Sequence, residues 1–263
     1  MDYLLLPFLS FFVGIVVGLT GIGGASLITP MLIFVFQVPP AIAVSSDIWA
    51  ATLMKVVGGF KHWRQQTLDI KIVKWLAMGS VPGTLSGVGI LHSIRRIETL
   101  DFDSTLLKAL GFTILLVTAI GLTKLLLLAV FPNVQLPELP KFDLETHSGR
   151  ALTMGVGAFL GCLVGLTSVS SGSLFALALM TFFQLDAKKL VGTDLSQAGI
   201  LLSFTSLGHL TLGTVNWSLV GLIWLGSVPG VLVGAQLCQF VPQRTLQTII
   251  YSLLMMVSLK LVY

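Results

Sequence analysis

A duplicated stretch limits the folds open to this chain more than any other feature of its sequence. Residues 18–27 have the sequence GLTGIGGASL, and residues 165–174 have GLTSVSSGSL in the same frame, 147 positions later. The register continues without a gap, so that the motif GSVPG at residues 79–83 recurs at residues 226–230. One register across so many glycine and polar positions indicates an internal repeat, and any fold must accommodate two related halves.

The composition predicts that both halves lie in a membrane. Hydrophobic residues make up 55% of the chain and charged residues 10%, whereas a typical soluble domain is about 25% charged. Several nearly uncharged stretches reach the roughly 20 residues that a helix needs to cross a bilayer. We therefore expect an all-α polytopic protein of the cytoplasmic (inner) membrane, surrounded by the lipid bilayer. The net charge of +4 arises in short loops, so it does not indicate a nucleic-acid partner.

The distribution of polar residues and prolines divides the chain into three parts. Residues 1–131 form a first transmembrane repeat, residues 132–149 a polar linker, and residues 150–263 a second transmembrane repeat. Helices are expected at residues 3–20, 26–37, 41–60, 72–92 and 105–131, and near residues 150–169, 173–184, 187–208, 216–240 and 245–262. The second helix of the first half is only about 18 Å long, too short to cross a bilayer by itself.

The basic residues predict that the two halves have opposite orientations. In the first half, basic residues follow the helix that carries Asp47, and they are Lys61, Arg64, Lys71 and Lys74. In the second half, basic residues precede the helix that carries Asp194, and they are Lys188 and Lys189. Because Lys and Arg favour cytoplasmic loops, equivalent loops should lie on opposite sides of the membrane. This pattern is typical of inverted-topology repeats, which occur in many secondary transporters.

The glycine- and serine-rich breaks before the two short helices are candidate anion sites. A helix that begins after a break presents unpaired backbone N–H groups and the positive end of its dipole, which favour an anion. The candidate substrate-binding residues are Thr20, Gly21, Gly23, Gly24 and Ser26 in the first break, and Thr167, Ser168, Ser170, Ser171, Gly172 and Ser173 in the second. Neither break contains Lys or Arg, so the predicted site is neutral. The alternative is that these small residues only allow close helix packing.

Asp47 and Asp194 are matched by the repeat and are candidate coupling or gating residues. Carboxylates inside a membrane are costly and mark functional sites, which makes protons a candidate coupling ion. The alternative is that each carboxylate satisfies N–H groups at the start of its helix. The helix of Asp47 also carries Lys55, whereas no Lys or Arg lies between Asp194 and His209. We therefore expect Asp47 to be a paired charge and Asp194 to carry a proton without a cationic partner.

Three further polar residues are given structural interpretations. Lys55 corresponds to Leu202 in the second half, and its long side chain is expected to extend toward the basic loop. His62 and His209 are matched, and both are expected near helix ends at the membrane interface. The prolines of the two GSVPG motifs are expected to kink their helices.

The sequence contains no pattern that predicts catalysis. It shows no nucleophile–base pair, no nucleotide-binding motif and no metal-ligand spacing, so we expect neither an enzyme nor a cofactor or metal site. The two cysteines, Cys162 and Cys238, lie in apolar segments and are interpreted as small buried hydrophobic residues.

The glycine-rich break, with Gly21, Gly23 and Gly24 followed by Pro30, resembles the TauE/SafE sulfite-exporter family of membrane permeases. The resemblance extends over nearly the whole chain, including its length, its two halves and its polar linker. The second break departs from the family pattern, because Ser168, Ser170 and Ser171 replace glycines and Leu177 replaces the proline. The resemblance implies transport of sulfite, sulfoacetate, thiosulfate or other small anions across the cytoplasmic membrane.

Together, the residues and the resemblance predict a secondary transporter. A small anion, such as a sulfur oxyanion or an organosulfonate, would bind between the two breaks, and the halves would rock around it. A passive channel for a small solute is the main alternative, and an intramembrane enzyme or an assembly factor is a weaker one.

Overall fold

The computed structural model describes residues 3–20, 25–95, 102–130, 141–167, 173–183, 185, 187–210, 215–237, 255, 258 and 259. Within these residues the chain is α-helical and contains no strand, which confirms the prediction of an all-α protein. A short 3₁₀ turn, Tyr3–Leu5, precedes the first helix. The helices are α1 Leu6–Thr20, α2 Ala25–Phe34, α3 Pro40–Arg64, α4 Ile70–Arg95, α5 Phe102–Val130, α6 His147–Thr167, α7 Ser173–Phe182, α8 Ala187–Leu210 and α9 Trp217–Leu237.

Four of the described helical segments are long and apolar enough to cross a membrane. They are Pro40–Arg64, Ser104–Thr123, His147–Thr167 and Trp217–Leu237. In contrast, α2 and α7 have 10 residues each, which corresponds to only about 15 Å. Both short helices begin within one residue of the predicted positions, 26 and 173. The final predicted helix, residues 245–262, falls almost entirely outside the described residues.

Capping residues explain where several helices begin. Asp69 Oδ1 accepts the backbone N–H groups of Lys71 and Ile72 at the start of α4. Asn216, its counterpart in the repeat, does the same for α9. Thr146 Oγ1 accepts the N–H of Gly149, and α6 therefore begins at His147, three residues before the expected position. Such caps satisfy N–H groups that have no partner within the helix.

Helices of one half pack along helices of the other half. α4 of the first half packs along α6 of the second, and α9 of the second half packs along α1 of the first. A Cβ at Gly79 or Gly83 would overlap the carbonyl oxygens of Met154 and Ala158 in α6. The corresponding α9 glycines, Gly226 and Gly230, lie equally close to the carbonyl oxygens of Pro7 and Phe11 in α1. The GSVPG motifs thus allow close helix contact, and α4 and α9 both continue as helices through their prolines.

The equivalent helices α3 and α8 are also in direct contact, and they run antiparallel. Ser45 of α3 lies 3.4 Å from His209 near the end of α8. Thr52 donates to the carbonyl of Leu202, and Gly59 lies against Ser196. As the residue number increases along α3, the residue number of its contact in α8 decreases. Opposite directions for equivalent helices are what inverted repeats require, although the orientation of the halves across the membrane stays a prediction.

Candidate functional site

The ends of the two breaks are described, and their central residues are not. Thr20 ends α1 and donates its hydroxyl to the carbonyl of Val16 at 2.7 Å. Thr167 ends α6 and donates to Leu163 at 2.8 Å. The hydroxyls of both matched threonines thus bond to their own helices. The starts of α2 and α7 place the backbones of Ser26 and Ser173 in the first turns of those helices.

Seven of the predicted binding residues lie outside the described part of the chain. They are Gly21, Gly23, Gly24, Ser168, Ser170, Ser171 and Gly172. Their role in binding an anion therefore stays a prediction. The flanking helices show only that each break connects a long helix to a short one.

Asp47 connects α3 to the short helix α2. Its side chain is completely buried, and its Oδ2 accepts a hydrogen bond of 2.6 Å from the hydroxyl of Thr29. Asp47 lies about two turns inside α3, which begins at Pro40. It is therefore too far along the helix to satisfy the N–H groups of the first turn. The described contact of this carboxylate is with the helix that follows the first break.

Asp194 forms an ion pair with Lys55, at 3.2 Å between Asp194 Oδ2 and Lys55 Nζ. Both side chains are 0% exposed. Three expectations from the sequence are therefore wrong: Lys55 does not extend to the basic loop, it is not the partner of Asp47, and Asp194 does not lack a cationic partner. The physical reason is helix geometry. Lys55 is about 12 Å along α3 from Asp47, whereas the antiparallel α8 brings Asp194 directly beside it.

The two carboxylates have different partners because those partners have no counterparts in the repeat. The position that corresponds to Thr29 is Ala176, and the position that corresponds to Lys55 is Leu202. The described partner of Asp47 is therefore a hydroxyl, whereas the partner of Asp194 is an ammonium group. In each carboxylate the Oδ1 atom is buried and has no hydrogen-bond donor among the described residues.

The residues immediately before the two aspartates connect the halves in the same way. The backbone N–H of Asn216 donates to Ser46 Oγ at 2.9 Å, and the backbone N–H of Asp69 donates to Thr193 Oγ1 at 3.0 Å. Each hydroxyl therefore accepts from the residue that caps a helix of the other half. The sequence shows that Ser46 and Thr193 are matched, but it gives no signal for these partners.

The matched histidines are buried near helix ends. His62 is 2% exposed and His209 is 0% exposed. His62 Nδ1 lies 2.8 Å from the hydroxyl of Thr67. His209 lies between Ser45 of α3 and the carbonyl of Gly165, the first residue of the second duplicated stretch. His209 therefore connects α3 and α8 to the helix that leads into the second break.

Further polar contacts join α4 and α8 next to the ion pair. Gln197 Nε2 donates to Ser80 Oγ at 2.9 Å, and the hydroxyls of Thr84 and Thr205 lie 2.8 Å apart. An open groove of about 320 Å³ borders Lys55. The part of the chain that the structure describes contains no group of three His, Cys, Asp or Glu residues placed to bind a metal ion.

Comparisons with known proteins identify the family of the chain. The family model "Sulfite exporter TauE/SafE" matches residues 6–261. The chain belongs to the TauE/SafE family. Duplicated breaks, short helices and buried matched carboxylates are therefore features of a TauE/SafE family member, and the resemblance inferred from residues 18–27 is confirmed.

Curated relatives carry transporter names. The chain is 39% identical over 254 residues to "Probable membrane transporter protein YjnA" of Bacillus subtilis (strain 168), and the match covers 97% of each chain. It is 25% identical over 248 residues to "Probable membrane transporter protein YdhB" of the same organism, with 94% of this chain and 95% of the relative covered. No solved structure matches at a significant level. The protein is thus a membrane protein of a transporter family.

Proposed function

We propose that the protein is a secondary transporter that moves a small anion across the cytoplasmic membrane by alternating access. The observation that carries this proposal is the pair of 10-residue helices, α2 and α7, each placed directly after a break. In many secondary transporters the substrate site lies near the bilayer midplane, where the N-termini of such discontinuous helices point at anionic groups of the substrate. The family membership of the chain supports the same class of function.

The proposed cargo is a sulfur oxyanion or an organosulfonate, such as sulfite, thiosulfate or sulfoacetate. The name of the matching family supports sulfite, and the chemistry of a helix N-terminus suits any small oxyanion. The anion would contact backbone N–H groups at the starts of α2 and α7 and hydroxyls of the second break.

The proposed motion is a rocking of the two halves about this site. The antiparallel contact of the equivalent helices α3 and α8 supports halves of opposite orientation. Cysteines introduced at Gln66 and Gly213, equivalent loop positions, are expected to react with a membrane-impermeant reagent from opposite sides. Labelling of both positions from one side would exclude the inverted-repeat arrangement. It would not test the transporter assignment, which the transport measurement below addresses.

Counterflow in proteoliposomes tests the transporter assignment against the channel alternative. A carrier preloaded with unlabelled sulfite is expected to accumulate labelled sulfite transiently, whereas a passive pore only equilibrates the label. The variants Gly23→Val and Gly24→Val should abolish counterflow while membrane insertion is retained, because a side chain would block backbone approach to the anion. Gly155→Ala is a matched control, since a Cβ at Gly155 would meet no atom within 4 Å. Normal counterflow in both valine variants would exclude the first break from the site.

A further inference from the structure

We propose that Lys55 is the cationic ligand of the carried anion and that the anion replaces Asp194 as the partner of Lys55. Asp194 takes up one proton when the anion binds, so that one proton and one anion cross together. This inference rests on the proposed function and adds a charged residue to a site that the sequence predicts to be neutral.

The burial of the ion pair is the first observation behind this assignment. Lys55 and Asp194 are both 0% exposed, and their contact of 3.2 Å joins the first half of the chain to the second. A buried ion pair is poor evidence of a purely stabilising role, because the cost of desolvation offsets much of the attraction. Asp194 Oδ1 is also buried without a hydrogen-bond donor among the described residues. The carboxylate of Asp194 is thus incompletely satisfied, as expected for a group that changes its partner.

The charge distribution is the second observation. Neither break contains Lys or Arg, yet an anion inside a membrane needs a compensating charge. Among the Lys and Arg side chains that the structure describes, Lys55 is the one that is fully buried. Asp194 lies on α8, and α8 packs against α7, the short helix that follows the second break. The ammonium group is therefore one helix away from the region where the anion is proposed to bind.

The space around Lys55 is the third observation. Lys55 borders an open, largely apolar groove of about 320 Å³ between α3, α4 and α8. Two hydroxyl residues of α8, Ser196 and Ser203, line the same groove. Ser196 Oγ is buried without a partner in the described part of the chain. The hydroxyl of Ser196 is therefore a candidate donor to an oxyanion in this groove, whereas Ser203 already donates to the carbonyl of Gly199.

The balance of charge explains the proton. With Asp194 ionised, Lys55 and Asp194 together are neutral, and a monovalent anion would leave one uncompensated negative charge. When Asp194 takes a proton from the aqueous side to which the site is open, the anion and Lys55 form the neutral pair instead. Opening to the other side releases both the proton and the anion, and the pair of Lys55 and Asp194 forms again.

Other titratable groups near Asp194 must be separated from it in the test. His62 of α3 lies against Gly192, two residues before Asp194. Asp69 donates its backbone N–H to Thr193, the residue next to Asp194. Both contacts lie within two residues of Asp194 along α8. The variants His62→Gln and Asp69→Asn are therefore measured beside the Asp194 variant.

The first experiment removes both charges together. The double variant Lys55→Leu/Asp194→Asn leaves no unpaired buried charge. We therefore expect it to fold and to elute from a size-exclusion column in detergent at the same volume as the wild type. Its counterflow of labelled sulfite should fall by about tenfold or more, because the anion loses its ionic partner. Lys71→Gln/Glu145→Gln, which removes an exposed ion pair, is the matched control and should transport normally. Counterflow at the wild-type rate in the folded double variant would overturn the assignment of Lys55.

The second experiment measures binding without transport. Methanesulfonate, a monovalent sulfonate that does not titrate near neutral pH, should raise the thermal stability of Asp194→Asn more than that of the wild type, each compared with sodium chloride at equal ionic strength. The shift in Asp194→Asn should not depend on pH, whereas His62→Gln and Asp69→Asn should keep the pH dependence of the wild type. No larger shift in Asp194→Asn would overturn the proposal even if the wild type transports sulfite. Conversely, a shift without counterflow in the wild type would contradict the transporter function and retain the anion site at Lys55.

Discussion

Asp47 and Asp194 occupy the same position of the repeat, yet their surroundings differ in charge. Asp47 accepts a hydrogen bond from Thr29 within its own half, whereas Asp194 is paired with Lys55 of the other half. The residue immediately before each aspartate, in contrast, accepts a backbone N–H from the other half in the same way. The repeat therefore determines where each carboxylate is buried, whereas a few unmatched residues determine its partner and hence its role.

The largest expected effect comes from breaking the ion pair on one side only. Lys55→Leu leaves Asp194 as a buried carboxylate without its cation, and removing one partner of a buried pair costs about 3–5 kcal/mol of folding free energy. We expect a large fall in the yield of folded protein and in the unfolding temperature in detergent. Leu202, the counterpart of Lys55, shows that leucine is accepted at the equivalent position of α8.

The double variant Lys55→Leu/Asp194→Asn distinguishes the stability lost through an unpaired charge from the stability lost through altered packing. It should regain most of the lost stability, because it removes the unpaired charge along with the lysine. If the single variant Lys55→Leu unfolds at the wild-type temperature, the ion pair does not contribute to the folded state, and the contrast between the two aspartates loses its physical basis.

A smaller effect is expected at the other carboxylate. Thr29→Ala removes the described donor to Asp47 Oδ2 and should cost about 1–3 kcal/mol, the usual penalty for a buried group that loses its partner. Thr153→Ala is a matched control, since Thr153 is equally buried and its hydroxyl donates to the carbonyl of Gly149 in its own helix. Thermal unfolding in detergent of the two variants should therefore differ, and equal losses would indicate that the contact of Thr29 with Asp47 contributes no more than a hydroxyl within one helix.

Much of the fold could be predicted from the sequence, because hydropathy and the repeat are local or periodic signals. The two short helices lie where these signals predict them, and so do most of the long helices. The partner of Asp194 could not be predicted, since it depends on which faces of α3 and α8 meet and in which direction they run. Lys55 is on the helix of Asp47 in the sequence, but the fold assigns it to the other carboxylate.

Equal effects in the two halves are expected where the repeat has kept its contacts. Ser46→Ala and Thr193→Val each remove a hydroxyl that accepts a backbone N–H from the opposite half. Each substitution should cost about 1 kcal/mol, as for an ordinary hydrogen bond between neutral groups. The unfolding temperatures of the two variants should fall by similar amounts. A much larger fall for one of them would show that the asymmetry of the charges extends to the contacts around them.

The smallest effect is expected at the exposed ion pair between Lys71 and Glu145. Its atoms lie 2.6 Å apart, closer than those of the buried pair, but both side chains are about 70% exposed. The hydrogen bond from Lys71, together with its charge, holds the pKa of Glu145 below its usual value. The contribution of Glu145 is therefore present at neutral pH and disappears as the pH falls through that lowered pKa.

Because water screens an exposed pair, Lys71→Gln should leave the unfolding temperature unchanged within error at neutral pH and moderate salt. The same measurement on Lys55→Leu should show a large loss, although the buried contact is longer by 0.6 Å (3.2 Å against 2.6 Å). Burial, and not distance, then determines what each pair contributes. A loss at Lys71 comparable to the loss at Lys55 would contradict this order and would instead indicate that the contact between the linker and α4 holds the halves together.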